Sequence, residues 1–110
     1  MLYTELKIGD KELKLRLSTR DIVALEKALG GNPLDKLIAV SENKLPEISF
    51  IVTVIHQSLQ KYQNGYTIDK TYDLIDEYVD DGGTLLDLIQ IITEIFKVSG
   101  FFKMEEAPAK

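Results

Sequence analysis

Asp69, Asp73, Asp76 and Asp80 recur at i, i+4, i+7 and i+11, a spacing that puts four carboxylates on one face of a helix. Such a row could supply acid–base chemistry, hold calcium, or draw in a basic partner. A catalytic carboxylate pair needs a cleft that pushes one pKa away from the other, and a stripe on a helix surface offers none. A calcium loop needs the D-x-[DN]-x-[DN]-G spacing, which does not occur here. Two readings of the row then remain. It is a docking face that steers a basic partner electrostatically, or a solvated face that keeps an otherwise apolar helix soluble. The acid is local: residues 66–96 hold eight acidic residues against one basic, Lys70, a surplus larger than the net charge of -5 of the whole chain. Residues 1–65 balance nine basic against eight acidic.

Other chemistry is thinly represented. His56 is the single histidine, at the edge of a helical apolar stripe, where a metal ligand or general base could stand. With no second histidine and no cysteine to complete a site, it reads better as a half-buried helix residue with a satisfied hydrogen bond. The missing cysteines also exclude a disulfide framework, a thiolate zinc site and a cysteine nucleophile. Gly30-Gly31 follows a helix rather than a strand, and neither phosphate-cradling glycine motif occurs. No catalytic, metal-binding or cofactor-binding residues are therefore assigned, and the chain is read as not an enzyme. The acidic balance and the lack of a basic patch argue against nucleic acid. Helix, Gly-Gly-Asn-Pro, helix imitates a helix-turn-helix, but its second helix offers only Lys36 to read bases. No apolar run reaches the length of a membrane span, and the first residues lack the layout of a signal peptide, so no membrane role and a cytoplasmic location are expected.

The elements that would position these residues follow from periodicity. Residues 2–8 and 11–17 alternate, with Leu2, Thr4, Leu6 and Ile8 on one face and Leu13, Leu15 and Leu17 on the matching face; Gly9-Asp10 turns the chain between them. A hairpin over 2–17 results, and its leucine face must lie on helices or on another subunit. Ser18 or Thr19 caps a first helix over 19–29, striped by Ile22, Leu25, Ala28 and Leu29 and ended by Gly30-Gly31. Asn32-Pro33 starts a short second helix, 33–40, and a polar loop occupies 41–45. A third, central helix runs over 46–63, opened by Pro46, with Ile48, Ile51, Val52, Ile55, Leu59 and Tyr62 inward. Thr67 caps a fourth, 68–80, striped by Ile68, Tyr72, Ile75 and Val79. Thr84 and Asp87 form a capping-box variant for a fifth, 85–99, which Gly100 closes. This helix carries Leu85, Leu88, Ile89, Ile92, Ile95 and Phe96, and also Leu86 and Ile91 outside the stripe. Either it is the most buried element, or its extra apolar surface, extended by Phe101-Phe102, is an interface. The expected architecture is mainly α: a bundle of about five helices preceded by an N-terminal β-hairpin, one domain over 1–102 and a flexible tail over 103–110.

The stretch from Leu15 through Ser18-Thr19, Glu26, Leu29-Gly30-Gly31-Asn32-Pro33 to Leu34 resembles the opening of tail assembly chaperones of long-tailed bacteriophages, prophages and gene-transfer agents. The family pattern is a leucine-rich strand, a helix capped by [ST]-[ST] that runs into E-x-x-L-G-x-x-[PL]-L, then several apolar helices. The order of elements is similar from about residue 4 to 100. The resemblance implies a non-structural assembly factor of the host bacterial cytoplasm that binds the tape-measure protein, with the tail-tube protein a second candidate partner. It would keep its client soluble during tube assembly and be absent from the finished virion. Family members are also made in a longer, frameshifted form. Joined to the residue pattern, it directs attention to Asp69, Asp73, Asp76, Asp80, Leu86, Ile91, Phe101 and Phe102 as a protein-binding surface. A homo-oligomer is also compatible, with the Leu13/Leu15/Leu17 edge as one route by strand pairing. The alternative functions are a structural head–tail or tail-completion protein of a phage particle and a bacterial protein-binding regulatory module.

Overall fold

A computed structural model describes residues 2–35, 37 and 45–101. The expected tail, and the loop after the second helix except Leu45, lie outside these residues. The chain is mainly α. Strands β1 (Thr4–Ile8) and β2 (Lys11–Leu15) are followed by helices α1 (Thr19–Leu29), α2 (helical at residues 33–35 and 37), α3 (Ile48–Leu59), α4 (Ile68–Asp80) and α5 (Leu85–Val98).

The hairpin forms as its alternation requires. Gly9 adopts φ 56°, a conformation that costs glycine nothing, and the two strands pair antiparallel with Ile8 opposite Lys11, Leu6 opposite Leu13 and Thr4 opposite Leu15. Leu6, Ile8, Leu13 and Leu15 point to one face and are buried, and Leu17 follows them inward. That face lies on helices of the same chain: β1 packs on α4 and α5, and β2 on α3. Leu2 is exposed instead, because pairing starts only at Thr4.

Capping fixes the helix starts. Ser18 is the N-cap of α1: its hydroxyl accepts from the Asp21 amide, and the Asp21 carboxylate accepts from the Ser18 amide. Thr84 and Asp87 exchange the same two bonds at α5, and Thr67 caps α4. Gly30 ends α1 at φ 75°, with its amide and that of Gly31 both donating to the Glu26 carbonyl.

α3 is the central element, with α1, α4, α5 and β2 all packed against it. Its burial is wider than the single expected stripe. Phe50, Val54 and Ser58 are buried along with Ile51, Val52, Ile55 and Leu59. It is also shorter than expected, starting after Glu47 and ending at Leu59, so Ile48 and Tyr62 are exposed. The early end has a visible cause. Gln60 donates its side-chain amide to the carbonyls of His56 and Tyr66, at 2.7 and 2.9 Å, and Gln63 is engaged by β2; both draw the chain out of the helix.

Of the row expected inward on α4, only Ile75 is buried. Thr71, Leu74 and Ile75 are buried and Tyr78 packs partly buried on the core, whereas Ile68, Tyr72 and Val79 are 39%, 52% and 44% exposed. The rows at 71/74/78 and 68/72/79 lie on adjacent arcs of the helix. The 71/74/78 arc lies on the side where Lys11 and the Gly9 amide hold Glu77 and Asp81 and where α4 meets α3 and β1. Around α1 only Leu25 is fully buried; Ile22 and Leu29 pack partly buried and Ala28 is exposed.

Candidate protein-docking faces

The eight acidic residues of 66–96 divide into two groups. Four have structural partners. Glu77 accepts from Lys11 Nζ at 2.7 Å, and Asp81 accepts from the Gly9 amide at 3.0 Å, so the turn of the hairpin is tied to the end of α4. Asp87 caps α5, and Glu94 pairs with Lys97 at 3.5 Å. The other four are Asp69, Asp73, Asp76 and Asp80. All are exposed, they share the face of α4 opposite Leu74 and Tyr78, and none forms an ion pair among the described residues. The spacing therefore brings these carboxylates together. Beside them runs the exposed apolar row of Ile68, Tyr72 and Val79, which the sequence reading placed in the core.

The remaining sequence-derived candidates do not join this face. Leu86 is 63% exposed at the start of α5. Ile91 stands five positions on, about 140° around the helix, and is half-buried against the core. Phe101 is half-buried too, with its ring 4.7 Å from that of Phe96. α5 is thus largely an interior helix, its outward apolar surplus reduced to Leu85 and Leu86. Phe102 lies outside the described residues. The hairpin edge at Leu13/Leu15/Leu17 is also covered over most of its length. The Lys14 amide and carbonyl bond the Gln63 side chain at 2.7 and 2.8 Å, and the Arg16 amide donates to the Ser58 carbonyl at 3.0 Å. Leu17 completes the seam by donating to Ser99 Oγ at 2.9 Å.

A second cluster escaped the sequence reading. On the outer face of the hairpin, Tyr3 and Tyr62 meet edge to face at 5.5 Å, and Lys14 Nζ stands 5.0 Å from the Tyr3 ring. Tyr62 at the expected helix spacing suggested core; only the bend after Leu59 brings it here.

His56 is half-buried, and no cluster of three metal-ligating side chains occurs among the described residues. A groove of 410 Å³ between the hairpin turn and α4 is lined by Lys11, Tyr66, Lys70, Asp73 and Glu77, but Glu77 already holds Lys11. That hydrogen bond raises the Lys11 pKa above its ordinary value. Burial, with a smaller contribution from Asp87, raises that of Tyr78. No helix among the described residues is long and apolar enough to cross a membrane. No curated protein and no solved structure matches the chain. Residues 3–110 match a family described as a family of unknown function (DUF6096), and the chain belongs to that family.

Proposed function

We propose that this chain is an assembly chaperone of the phage-tail type, which holds a long amphipathic client, the tape-measure protein, on the outer face of α4 in the bacterial cytoplasm. The observation that carries this reading is the row of four exposed carboxylates without ion pairs among the described residues, bordered by Ile68, Tyr72 and Val79. Asp69 suits the first turn of the helix, but the rest of the row is unfavourable for the isolated helix. Asp69/Asp73 and Asp76/Asp80 are like-charge pairs at i, i+4, and Asp80 sits in a last turn with no basic residue, where the helix dipole disfavours a negative charge. A face that opposes its own helix is accounted for by a partner. An apolar row flanked by carboxylates fits a client helix whose apolar seam is flanked by Lys or Arg. The resemblance at residues 15–34 supplies the client class, since a tape-measure protein is long, helical and apolar in stripes.

Co-expression with the candidate tape-measure protein, followed by size exclusion with light scattering, tests the reading. The expected result is a soluble complex with a client that is insoluble alone, weakened by Asp73→Lys/Asp76→Lys/Asp80→Lys in a domain that still folds. Absence of a complex removes the chaperone reading, and a complex indifferent to the triple variant removes the acidic face from it.

A further inference from the structure

The two edges of the hairpin are treated differently. In an antiparallel pair, alternate residues turn their backbone groups outward. Because Lys14 and Arg16 turn theirs outward on β2, the register Glu5 opposite Lys14 and Lys7 opposite Glu12 makes Glu5 and Lys7 the outward residues of β1. On β2, Gln63 and Ser58 cover Lys14 and Arg16, leaving only Glu12 near the turn without a backbone partner among the described residues. The outward amides and carbonyls of Glu5 and Lys7 have no hydrogen-bond partner among the described residues. Beside them runs a groove of 630 Å³ lined on the helix side by Tyr78, Ile91, Glu94 and Val98. An open edge beside a mostly apolar groove is a template for another strand.

We propose that this edge takes the β1 strand of a second copy of the chain, antiparallel, giving a two-fold dimer with one continuous four-stranded sheet. Charge selects both occupant and register. Only outward residues can exchange ladder bonds across the new seam, so Glu5 must face residue 3, 5, 7 or 9 of the copy. Pairing Glu5 with its own copy sets carboxylate against carboxylate, and pairing Lys7 with its own copy sets ammonium against ammonium. The register centred on Leu6 sets Glu5 opposite the partner's Lys7 and Lys7 opposite the partner's Glu5, both attractive. Within one chain these two side chains stand 4.0 Å apart, and across the hairpin each already faces an opposite charge, Lys14 or Glu12, so the new pairs extend an alternation of sign that the hairpin itself sets up. The dimer uses a different face from the acidic row of α4, so it does not depend on the proposed client.

The test is light scattering on the full chain, with Lys7→Glu, Glu5→Lys, the Glu5→Lys/Lys7→Glu double variant, and an equimolar mixture of the two single variants. The wild type is expected to form a dimer whose Glu5 and Lys7 amides exchange slowly. Each single variant is expected to be monomeric, since each sets like charges opposite at both pairs. The double variant restores the dimer. The mixture restores it as a heterodimer, because one chain then carries two carboxylates and the other two ammonium groups. Recovery in the mixture also shows that the single variants are folded. A wild type that stays monomeric up to about 1 mM, or a dimer indifferent to Lys7→Glu, overturns the proposal. Single variants that stay monomeric when mixed also overturn it.

Discussion

The side chain of Gln63 acts toward Lys14 as a strand residue would: Oε1 accepts from the Lys14 amide at 2.7 Å, and Nε2 donates to the Lys14 carbonyl at 2.8 Å. One glutamine from the turn after α3 thus closes the middle of the β2 edge. Gln63→Ala is expected to lower stability by about 1 kcal/mol, since the freed groups are exposed to water and recover part of the loss. Denaturant unfolding measures the change, and faster exchange of the Lys14 amide localises it. An unchanged exchange rate would show that the pair does not hold the edge in solution.

Gly83 lies against the ring of Tyr78, and a Cβ added there would overlap that ring. Gly83→Ala is expected to cost about 1–3 kcal/mol by displacing a packed side chain. Combined with Tyr78→Ala it should cost much less than the two single changes together, because the collision is gone. Strict additivity in the double-mutant cycle would place the strain elsewhere.

Charge reversal at Asp73, Asp76 and Asp80 is expected to leave the thermal midpoint unchanged or to raise it, by no more than about 0.5 kcal/mol of stability. The row has no partner to lose among the described residues, and lysines suit the C-terminal half of α4. Calorimetry checks this, and a fall above about 1 kcal/mol would assign the row a structural role. Stability retained together with client affinity lost is the signature expected of a docking face.

Alkaline conditions should destabilise the fold. Lys11 and Tyr78 both have folded pKa values raised above their ordinary 10.5 and 10.0, Lys11 chiefly by the Glu77 hydrogen bond and Tyr78 chiefly by burial. In each case the folded state binds more protons than the unfolded state once pH exceeds the unfolded value. Their contribution is therefore complete below about pH 10 and is lost as pH rises through the folded values. Tyr78→Phe should flatten the decline of the thermal midpoint above pH 10, and an unaltered slope would count against the tyrosine.

Local signals carried well from sequence to structure, and long-range ones did not. Ser18, Thr67 and Thr84 act within three residues of themselves, so their caps are legible in the chain, as is the left-handed glycine after Leu29. The inward face of the hairpin follows from strict alternation of Leu6, Ile8, Leu13 and Leu15. On α4 the wheel offers two adjoining apolar arcs, and the choice between Tyr72 and Tyr78 is made by Lys11, Gly9 and the helices behind, none of which is near in sequence. The acidic row was readable because its four members lie within one helix. Its isolation from Glu77, Asp81, Asp87 and Glu94 was not, because that depends on where the hairpin lands. Leu86 and Ile91 looked alike as surplus apolar positions, yet only the packing of α5 against β1 and α3 shows that Ile91 is half-covered while Leu86 is not.

The hairpin is made first and secured last. Its bonds to the rest of the fold reach across 49 residues to Gln63, 66 to Glu77, 72 to Asp81 and 82 to Ser99. A hairpin can form within microseconds but is marginal alone, and synthesis adds residues at roughly 5–20 per second. The leucine face of the nascent strands therefore waits on the order of ten seconds on the ribosome for α5 to emerge. Until Gln63 follows, 49 residues after Lys14, the β2 edge is as open as that of β1, so the nascent hairpin offers both of its edges to other chains.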